Sequence, residues 1–392
     1  MCGQSKLTSG DYGGPSGGDG SMAGDRLREW VRADFGVDLS SVELTRLGAD
    51  ETAELWHGAG PDGARFAVKL SGGAAPAGLA LSAHLAARGV AGVVGPAPAR
   101  DGRLYSVREG LRLSIVPWLS DHGALDSPVS AAQWTAYGAL LAAVHATEVT
   151  AALAHLLPRE DHSHDRIAAV VWAVDSDVAD RMAGPAGDSE VAGRMVGSAG
   201  DSEVAGRMVG SAGAADAADP LARALAELWR GTAGSVAALL AQADCLGREL
   251  RARPDAAMVI CHGDPHLGNL LLGAGQRVWL IDWDDAVLAP PERDLMFAIG
   301  GVLAFAPVSR EQQAWFFDGY GPAEPDPDRL AYYRCVRALD DLGSWAAAVL
   351  DLGGHSQPER ANALAIVRGM LSPTGLVTLA LSSPRDLGLY QA

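Results

Sequence analysis

The sequence predicts an α+β fold in two lobes, an N-terminal antiparallel sheet with one helix followed by a lobe made mainly of helices. Three observations lead to this class. Short strand-like segments separated by turn residues fill the first third of the chain. Helical periodicity dominates the remainder. The 392 residues, with 48% hydrophobic content, exceed one average domain and can bury a substantial core.

The charge balance limits the classes of partner. The chain has 31 basic and 48 acidic residues and a net charge of -17, which argues against nucleic acid and anionic membranes and permits a cationic substrate. Four cysteines without metal-ligand spacing favour free thiols in a reducing cytoplasm. Neither an apolar span of about 18 residues nor a signal peptide is recognisable. We therefore expect a cytoplasmic protein, a monomer or a dimer, that binds no membrane.

The N-terminal part alternates between strands and turns. Residues 1–24 are rich in glycine and serine and predict a disordered segment, after which a short helix begins at Asp25. Strand patterns cover Val42 to Leu47, Ala53 to His57 and Ala64 to Leu70. These elements begin a lobe that spans residues 25–116.

The same lobe continues with a helix and further strands. Pro76 to Arg88 predicts a helix that is apolar on most faces. We predict three strands, at Val93 to Ala99, Leu104 to Val107 and Leu111 to Val116. A tight turn that contains glycine separates the first strand from the second, and another separates the second from the third. Residues 117–392 then form the connection and the helical lobe.

Lysine usage singles out one residue. The chain contains only Lys6 and Lys69 and otherwise uses arginine. A compact ammonium group fits between phosphates better than a planar guanidinium does, so Lys69 on its predicted strand is a candidate phosphate ligand. The alternative is an ordinary surface lysine.

Helices dominate the second lobe. The predicted helices are Ser130 to His145, Leu221 to Arg251, Ser309 to Tyr320, Pro327 to Leu350 and Gln357 to Met370. Ser309 and Gln312 have the spacing of a capping box. The cluster of acids and histidines at residues 160–165 suits either a metal or a solvated loop that opens a helix, and we favour the loop.

A tandem repeat interrupts this lobe. DSEVAGRMVGSAG occurs at 188–200 and again at 201–213, and residues 175–187 are a diverged copy. Units this short and glycine-rich cannot bury a core, so we interpret residues 175–213 as an inserted mobile loop. The alternative is a lid over a substrate site.

The chemistry concentrates in residues 258–285. Asp264 and Asn269 lie in HGDPHLGN, and Asp282 follows the strand-like run VWLI. Two carboxylates and an amide at this spacing suit phosphoryl transfer: Asp264 orients the attacking hydroxyl, while Asn269 and Asp282 hold Mg²⁺. The alternative is a hydrogen-bonded loop between strands without chemistry.

HGDPHLGN and IDWD together resemble the aminoglycoside phosphotransferases, small-molecule kinases with a protein-kinase-like fold. The resemblance implies ATP or GTP as the donor and Mg²⁺ as the metal. It also implies Asp264 as the catalytic base, Lys69 as a phosphate ligand, and a hinge at Val116, Trp118 and Leu119 that binds the nucleotide base. The chain departs from the pattern because no acid occurs between Gly63 and Arg100 to pair with Lys69.

Within this family, spectinomycin phosphotransferases are most similar. The matching stretches are IDWDDAVLAPPERDLMF, GYG at 319–321, LAYYR at 330–334 and the helix at 133–145. The resemblance implies phosphorylation of a hydroxyl on a cationic aminocyclitol or aminoglycoside, with antibiotic resistance as the result, and implies that Asp294 braces the catalytic loop. Acids that would meet the substrate's ammonium groups are Asp285, Glu292, Asp340 and Asp341, each of which also suits an exposed helix position.

Two other functions fit the same motifs. A kinase for another small-molecule alcohol would use the same nucleotide and metal ligands. A nucleotide-binding pseudokinase would explain the missing helix acid, although the intact Asp264, Asn269 and Asp282 argue against it.

Overall fold

The computed structural model describes residues 19–45, 53–72, 77–183, 219–254, 256–303, 306–350 and 355–382. Contacts divide the chain into two compact units, the first with Met1–Gln133 and Leu267–Ala286, the second with Trp134–His266 and Val287–Ala392. The first unit thus includes a segment that the sequence analysis assigns to the helical lobe. The lobe boundary at residues 116 and 117 stays a prediction.

A five-stranded antiparallel sheet forms the first unit, with strand order β1-β2-β3-β5-β4. Its strands are β1 Ser41–Thr45, β2 Ala53–Ala59, β3 Arg65–Ser71, β4 Ser106–Arg108 and β5 Leu111–Pro117. Helix α1 (Asp19–Phe35) buries Leu27 and Val31 in one core with Val68 and Ile115 of the sheet. Helix α2 (Ala77–Ala87) follows β3. The predicted antiparallel sheet is confirmed.

Two predictions for this unit are wrong in detail. Helix α1 begins at Asp19 rather than Asp25, so it extends into the predicted disordered segment, of which residues 1–18 lie outside the described residues. Residues 93–99 do not form a strand. Pro96 and Pro98 lack the N–H that a ladder needs, and the segment bonds to β5 only where Ala97 N donates to Ile115 O, at 2.8 Å.

A small hairpin completes the first unit. A 3₁₀ turn at Leu267–Asn269 leads into β7 (Leu270–Leu272), which pairs antiparallel with β8 (Val278–Leu280). The pairing register sets Leu270 opposite Leu280. The register continues beyond this pair, so the residues that precede β7 lie beside the residues that follow β8.

The second unit is mainly helical. It contains β6 (Val259–Cys261) paired with β9 (Val287–Ala289). Its helices are α3 Ala131–His145, α4 Ala151–Leu156, α5 Asp165–Ala183, α6 Pro220–Arg251, α7 Glu292–Ala298, α8 Arg310–Tyr320, α9 Pro327–Leu350, α10 Gln357–Met370 and α11 Leu376–Leu381. Helix α9 packs against α5, α6, α7, α10 and α11 and is buried along most of its length. Among the described residues, no helix is both long and apolar enough to cross a membrane.

The repeat differs from the predicted loop. Residues 175–183 of its first, diverged copy belong to helix α5, where Val174 and Val178 are buried. Val174, just before this copy, and Val178 within it are four residues apart, which places both side chains on one face of the helix. The two identical copies at 188–213 lie outside the described residues.

The loop before α5 opens that helix as predicted, but its histidines are not solvated. His162 and His164 are both buried. The His164 Nε2 lies 3.0 Å from a carboxylate oxygen of Asp244, and the Tyr333 hydroxyl lies 3.5 Å from His162 Nε2. These contacts give the two rings structural roles.

Candidate active site

The hairpin brings the backbone segments of two predicted metal ligands, Asn269 and Asp282, next to each other. One step beyond the Leu270–Leu280 pair, Ile281 N donates to Asn269 O at 3.0 Å, and Asp282 follows directly. Asp282 has a φ of 63°, a left-handed conformation that is uncommon for a residue other than glycine. Such strain persists only where the surroundings impose it, and it concentrates at functional sites.

Lys69 points at the same segment from the sheet. Its Nζ lies 3.0 Å from Asp282 Oδ1 and 2.9 Å from Asp284 Oδ2, and its side chain is 24% exposed. Burial favours the neutral amine, but the two carboxylates outweigh it and raise the pKa of Lys69 above its ordinary value. Lys69 is therefore a charged, oriented ammonium group rather than a stray surface lysine.

The predicted hinge begins at the end of strand β5 and continues past it. Val116 pairs with Ala67 of β3, and Trp118 N donates to Arg65 O at 2.8 Å. The Trp118 indole N–H donates to Asp121 at 2.8 Å, so the ring is half-buried and held at the edge of the unit instead of in its core. Leu119 is half-buried as well. Nucleotide binding by Val116, Trp118 and Leu119 stays a prediction.

In the second unit, Asp264 lies in the loop after β6 and is held by an arginine. Arg337 Nη1 donates to Asp264 Oδ1 at 2.6 Å, while its Nε donates to Asp341 one helical turn further along α9, at 2.9 Å. His266 Nε2 lies 3.4 Å from the other Asp264 oxygen. The carboxylate is 15% exposed, so these contacts fix its direction.

The acids around Arg337 exceed its charge. One guanidinium faces the carboxylates of Asp264 and Asp341, with Asp340 beside them on α9. Burial raises the pKa of Asp341 to about 6 even though Arg337 opposes the shift. Burial also raises the pKa of Asp340, although this side chain reaches solvent. An anionic surplus in a partly desolvated place is suited to a cation.

Asp294 braces the loop that carries Asp264. Its fully buried carboxylate accepts hydrogen bonds from His262 N and Gly263 N, both at 2.8 Å, and from His145 Nε2 at 3.0 Å. Burial alone would raise the pKa of Asp294, but the bonds from His145 and the backbone keep it below its ordinary value. The Tyr320 hydroxyl is hydrogen-bonded to His145 Nδ1 at 2.7 Å, which holds the ring in place from its other side.

His145 and Asp294, together with Cys261, form the group of potential metal ligands found within the described part of the chain. Side-chain atoms of His145, Cys261 and Asp294 lie within 4.8 Å of one another. His145 and Asp294 already satisfy each other, and Cys261 donates to the carbonyl of Ala289 at 3.6 Å. We therefore interpret the group as a hydrogen-bonded brace.

The four predicted substrate acids have different surroundings. Glu292 is buried, accepts from Asp326 N at 2.8 Å and is bonded to Arg329, which gives it a structural role. Asp285 is exposed in the turn after β8, in the first unit. Asp340 and Asp341 lie near Asp264 in the second unit. Substrate contacts by these acids stay predictions.

Two residues of the site were not predicted. Asp284 lies two positions after Asp282 in IDWDD, so it is as accessible to prediction from the sequence as the neighbouring Asp285. Arg337 and Asp341 have the i,i+4 spacing of a helical ion pair, and this spacing can also be recognised in the sequence. The contact of Arg337 with Asp264 joins residues far apart in the chain, and no local pattern reveals it.

These features define a kinase-like phosphotransferase. A model of the phosphotransferase enzyme family matches residues 44–333, and the chain belongs to this family. The family resemblance predicted from HGDPHLGN and IDWD is thereby confirmed.

Curated relatives match parts of the chain. Protein StrN of Streptomyces griseus is 29% identical over 252 residues, which are 62% of this chain and 65% of that protein. The N-acetylmuramate/N-acetylglucosamine kinase of Caulobacter vibrioides is 37% identical over 111 residues, 27% of this chain and 30% of the kinase. The chain thus spans less than two thirds of either relative.

Solved structures share the fold over nearly the whole chain. Spectinomycin phosphotransferase APH(9)-Ia in complex with ADP and spectinomycin superimposes with a TM-score of 0.75 at 22% identity, covering 92% of this chain and 98% of that one. The amicoumacin kinase hAmiN, in complex with AMP-PNP and Ca²⁺, gives a TM-score of 0.53 at 13% identity, covering 91% and 96%. The predicted α+β, protein-kinase-like fold is confirmed.

Proposed function

We propose that this protein transfers the γ-phosphoryl group of ATP or GTP to a hydroxyl of an aminocyclitol or aminoglycoside antibiotic, with spectinomycin first among acceptors, and so confers resistance. The observation that carries the proposal is the β7–β8 hairpin, which brings Asn269 next to the segment of Asp282, where Lys69 makes an ion pair. Hard oxygen donors beside an oriented ammonium group are suited to a metal-bound polyphosphate.

The donor set fits magnesium. Asn269 and Asp282 offer amide and carboxylate oxygens, and the Lys69 ammonium 3.0 Å from Asp282 supports the binding of a cation by this carboxylate. Magnesium bound by these two residues would neutralise charge on the phosphates. Lys69 then holds phosphate oxygens as a point charge.

Asp264 acts on the acceptor. It takes the proton of the substrate hydroxyl while the hydroxyl oxygen forms a bond to the γ-phosphorus and the bond from that phosphorus to the departing ADP oxygen breaks. Arg337 orients the Asp264 carboxylate through a hydrogen bond, and Asp294 fixes the backbone of the loop that carries Asp264. Asp264 and Asn269 belong to the single motif HGDPHLGN, so one loop serves the acceptor and the metal.

The acceptor class follows from the acids on α9. Asp340 and Asp341 accompany Asp264, and these three acids outnumber the two arginines that act on them, Arg337 and Arg293. An anionic surplus favours ammonium groups over neutral sugars. The shared fold with a spectinomycin phosphotransferase supports the same choice. We place the reaction in the cytoplasm, where ATP and magnesium are supplied.

An acceptor panel tests the proposal. The purified protein is given magnesium and ATP with spectinomycin, kanamycin or N-acetylmuramate, and ADP release and the mass of the acceptor are measured. We expect spectinomycin to gain one phosphoryl group, and Asp264→Asn to abolish the gain. Turnover with N-acetylmuramate alone would support a sugar kinase. Nucleotide binding without turnover of any acceptor would support a pseudokinase.

A further inference from the structure

Lys69 lies between two acids that follow strand β8. Helix α2 contains no Asp or Glu, and Lys69 Nζ instead lies 2.9 Å from Asp284 and 3.0 Å from Asp282. The anions beside this lysine therefore come from the loop after β8.

The packing of α2 explains why the loop reaches Lys69. Gly78 lies on α2 against the backbone of the loop, where a Cβ atom would clash with the carbonyl of Trp283 and lie 3.0 Å from Asp284 N. Trp283 is buried and its indole N–H donates to Leu280 O at 3.1 Å, which ties the loop back to β8. A glycine on the helix thus lets the loop that carries Asp284 pack directly against it.

The sheet holds Asp284 from a second side. In the pairing of β3 with β5, Lys69 faces Ser114, and Arg112 lies two positions from Ser114 on the same strand face. Arg112 lies 3.9 Å from the Asp284 carboxylate and is largely buried. Asp284 therefore lies between two cations of one sheet face, and Arg112 gives it a second cationic neighbour besides Lys69.

The proposed function gives Asp282 and Asp284 different roles when nucleotide binds. Under the proposed function Asp282 would be a metal ligand, so its carboxylate would be shared between Lys69 and the metal. We propose that Asp284 is the positioning residue that keeps Lys69 directed at the phosphates, in place of an acid on helix α2. The inference rests on the proposed function, because only a phosphate-bound Lys69 needs such support.

The test compares Asp284→Asn, which keeps the shape of the side chain and removes its charge, with Glu43→Gln, an exposed acid on β1 of the same sheet. Affinity for a nonhydrolysable ATP analogue with magnesium is measured by calorimetry, and kcat and both KM values by ADP release. We expect Asp284→Asn to lower kcat/KM for ATP by roughly tenfold to a hundredfold with an unchanged acceptor KM. Glu43→Gln should match the wild type.

A double-mutant cycle isolates the pairing with Lys69. Asp284→Asn introduced into a Lys69→Met background should change nucleotide affinity by less than about twofold, because the group it positions is already gone. Asp284→Glu retains the charge and should restore most of the activity. Circular dichroism and melting temperatures show whether each variant is folded.

Several outcomes would overturn the proposal. One is a melting temperature lowered by Asp284→Asn with wild-type kinetics, which means a structural role only. Another is that Asp284→Asn lowers nucleotide affinity as much in the Lys69→Met background as in the wild type. A third is a rise in the magnesium requirement as large as that of Asp282→Asn, which means that Asp284 is a metal ligand. If no acceptor is phosphorylated, the proposed function fails, while calorimetry still decides the role of Asp284.

Discussion

The Asp264 carboxylate accepts from Arg337 at 2.6 Å and lies 3.4 Å from His266, and its replacement by asparagine preserves its shape. We expect Asp264→Asn to reduce turnover by about 10²- to 10⁴-fold, since the group that takes the hydroxyl proton is lost. Nucleotide affinity should stay within about twofold of wild type. Steady-state kinetics and calorimetry measure the two quantities, with exposed Glu311→Gln on α8 as the control. Wild-type turnover of Asp264→Asn would rule out its role as the base.

Asp341 gives the protein a distinctive dependence on pH. Its folded-state pKa of about 6 exceeds the unfolded value of about 3.9, so the folded chain binds more protons between these values and this residue's contribution to stability falls as pH rises through that window. We expect the free energy of unfolding of the wild type, relative to Asp341→Asn, to fall by about 1 to 3 kcal/mol between pH 4 and 6. Urea denaturation at several pH values measures the difference. A constant difference would contradict the shift.

The crossing of helices α3 and α8 depends on two glycines. A Cβ atom on Gly138 would clash with Phe316 O, and one on Gly319 would clash with Thr135 O. Helix α8 also carries Tyr320, whose hydroxyl fixes the ring of His145 beside Asp294. A close crossing of these helices therefore supports the loop that carries Asp264.

We expect Gly138→Ala to destabilise the protein by about 3 kcal/mol or more, because the helices must separate. The matched control is Gly231→Ala on α6, where a Cβ atom would meet no neighbouring atom. That change should stabilise the protein by about 0.5 to 1 kcal/mol through the higher helix propensity of alanine. Thermal and urea denaturation compare the two. Equal effects would show that the crossing tolerates a methyl group.

Helix ends were predictable where local chemistry sets them. Ser309 and Gln312 form the predicted capping box, and α9 and α10 have the predicted ends. Prediction failed at residues 93–99, where apolar residues suggested a strand although the two prolines cannot join a ladder. It also failed at α1, whose first turns contain glycines and no apolar periodicity.

The site was predictable to the extent that its residues lie in one motif. Asp264, Asn269 and Asp282 are readable from a segment whose chemistry is local in sequence. The partners of Lys69 and of Asp264 come from distant elements, and only the pairing of β7 with β8 and the burial of α9 bring them close. Tertiary contacts of this kind leave no periodicity in the chain.

At the scale of the whole molecule, the net charge of -17 should assist capture of a cationic acceptor. We expect kcat/KM for spectinomycin to fall by about two- to fivefold between about 0.05 and 0.3 M NaCl, as salt screens the attraction. The kcat/KM for ATP, which is anionic, should not fall in parallel. Kinetics at matched magnesium activity, with sucrose as an uncharged control, measure both. A flat profile for spectinomycin would show that long-range charge has no part in its capture.

The scarcity of lysine has a practical consequence for chemistry on this protein. Amine acylation requires the unprotonated amine, and the Asp282 and Asp284 carboxylates keep Lys69 protonated. Apart from Lys6 and the chain terminus, Lys69 is the amine that an acylating reagent can modify. Its rate of acylation, followed by mass spectrometry of a single peptide, therefore reports on its ion pairs directly. Acylation of Lys69 can therefore serve as a chemical probe of the site where nucleotide phosphates are proposed to bind.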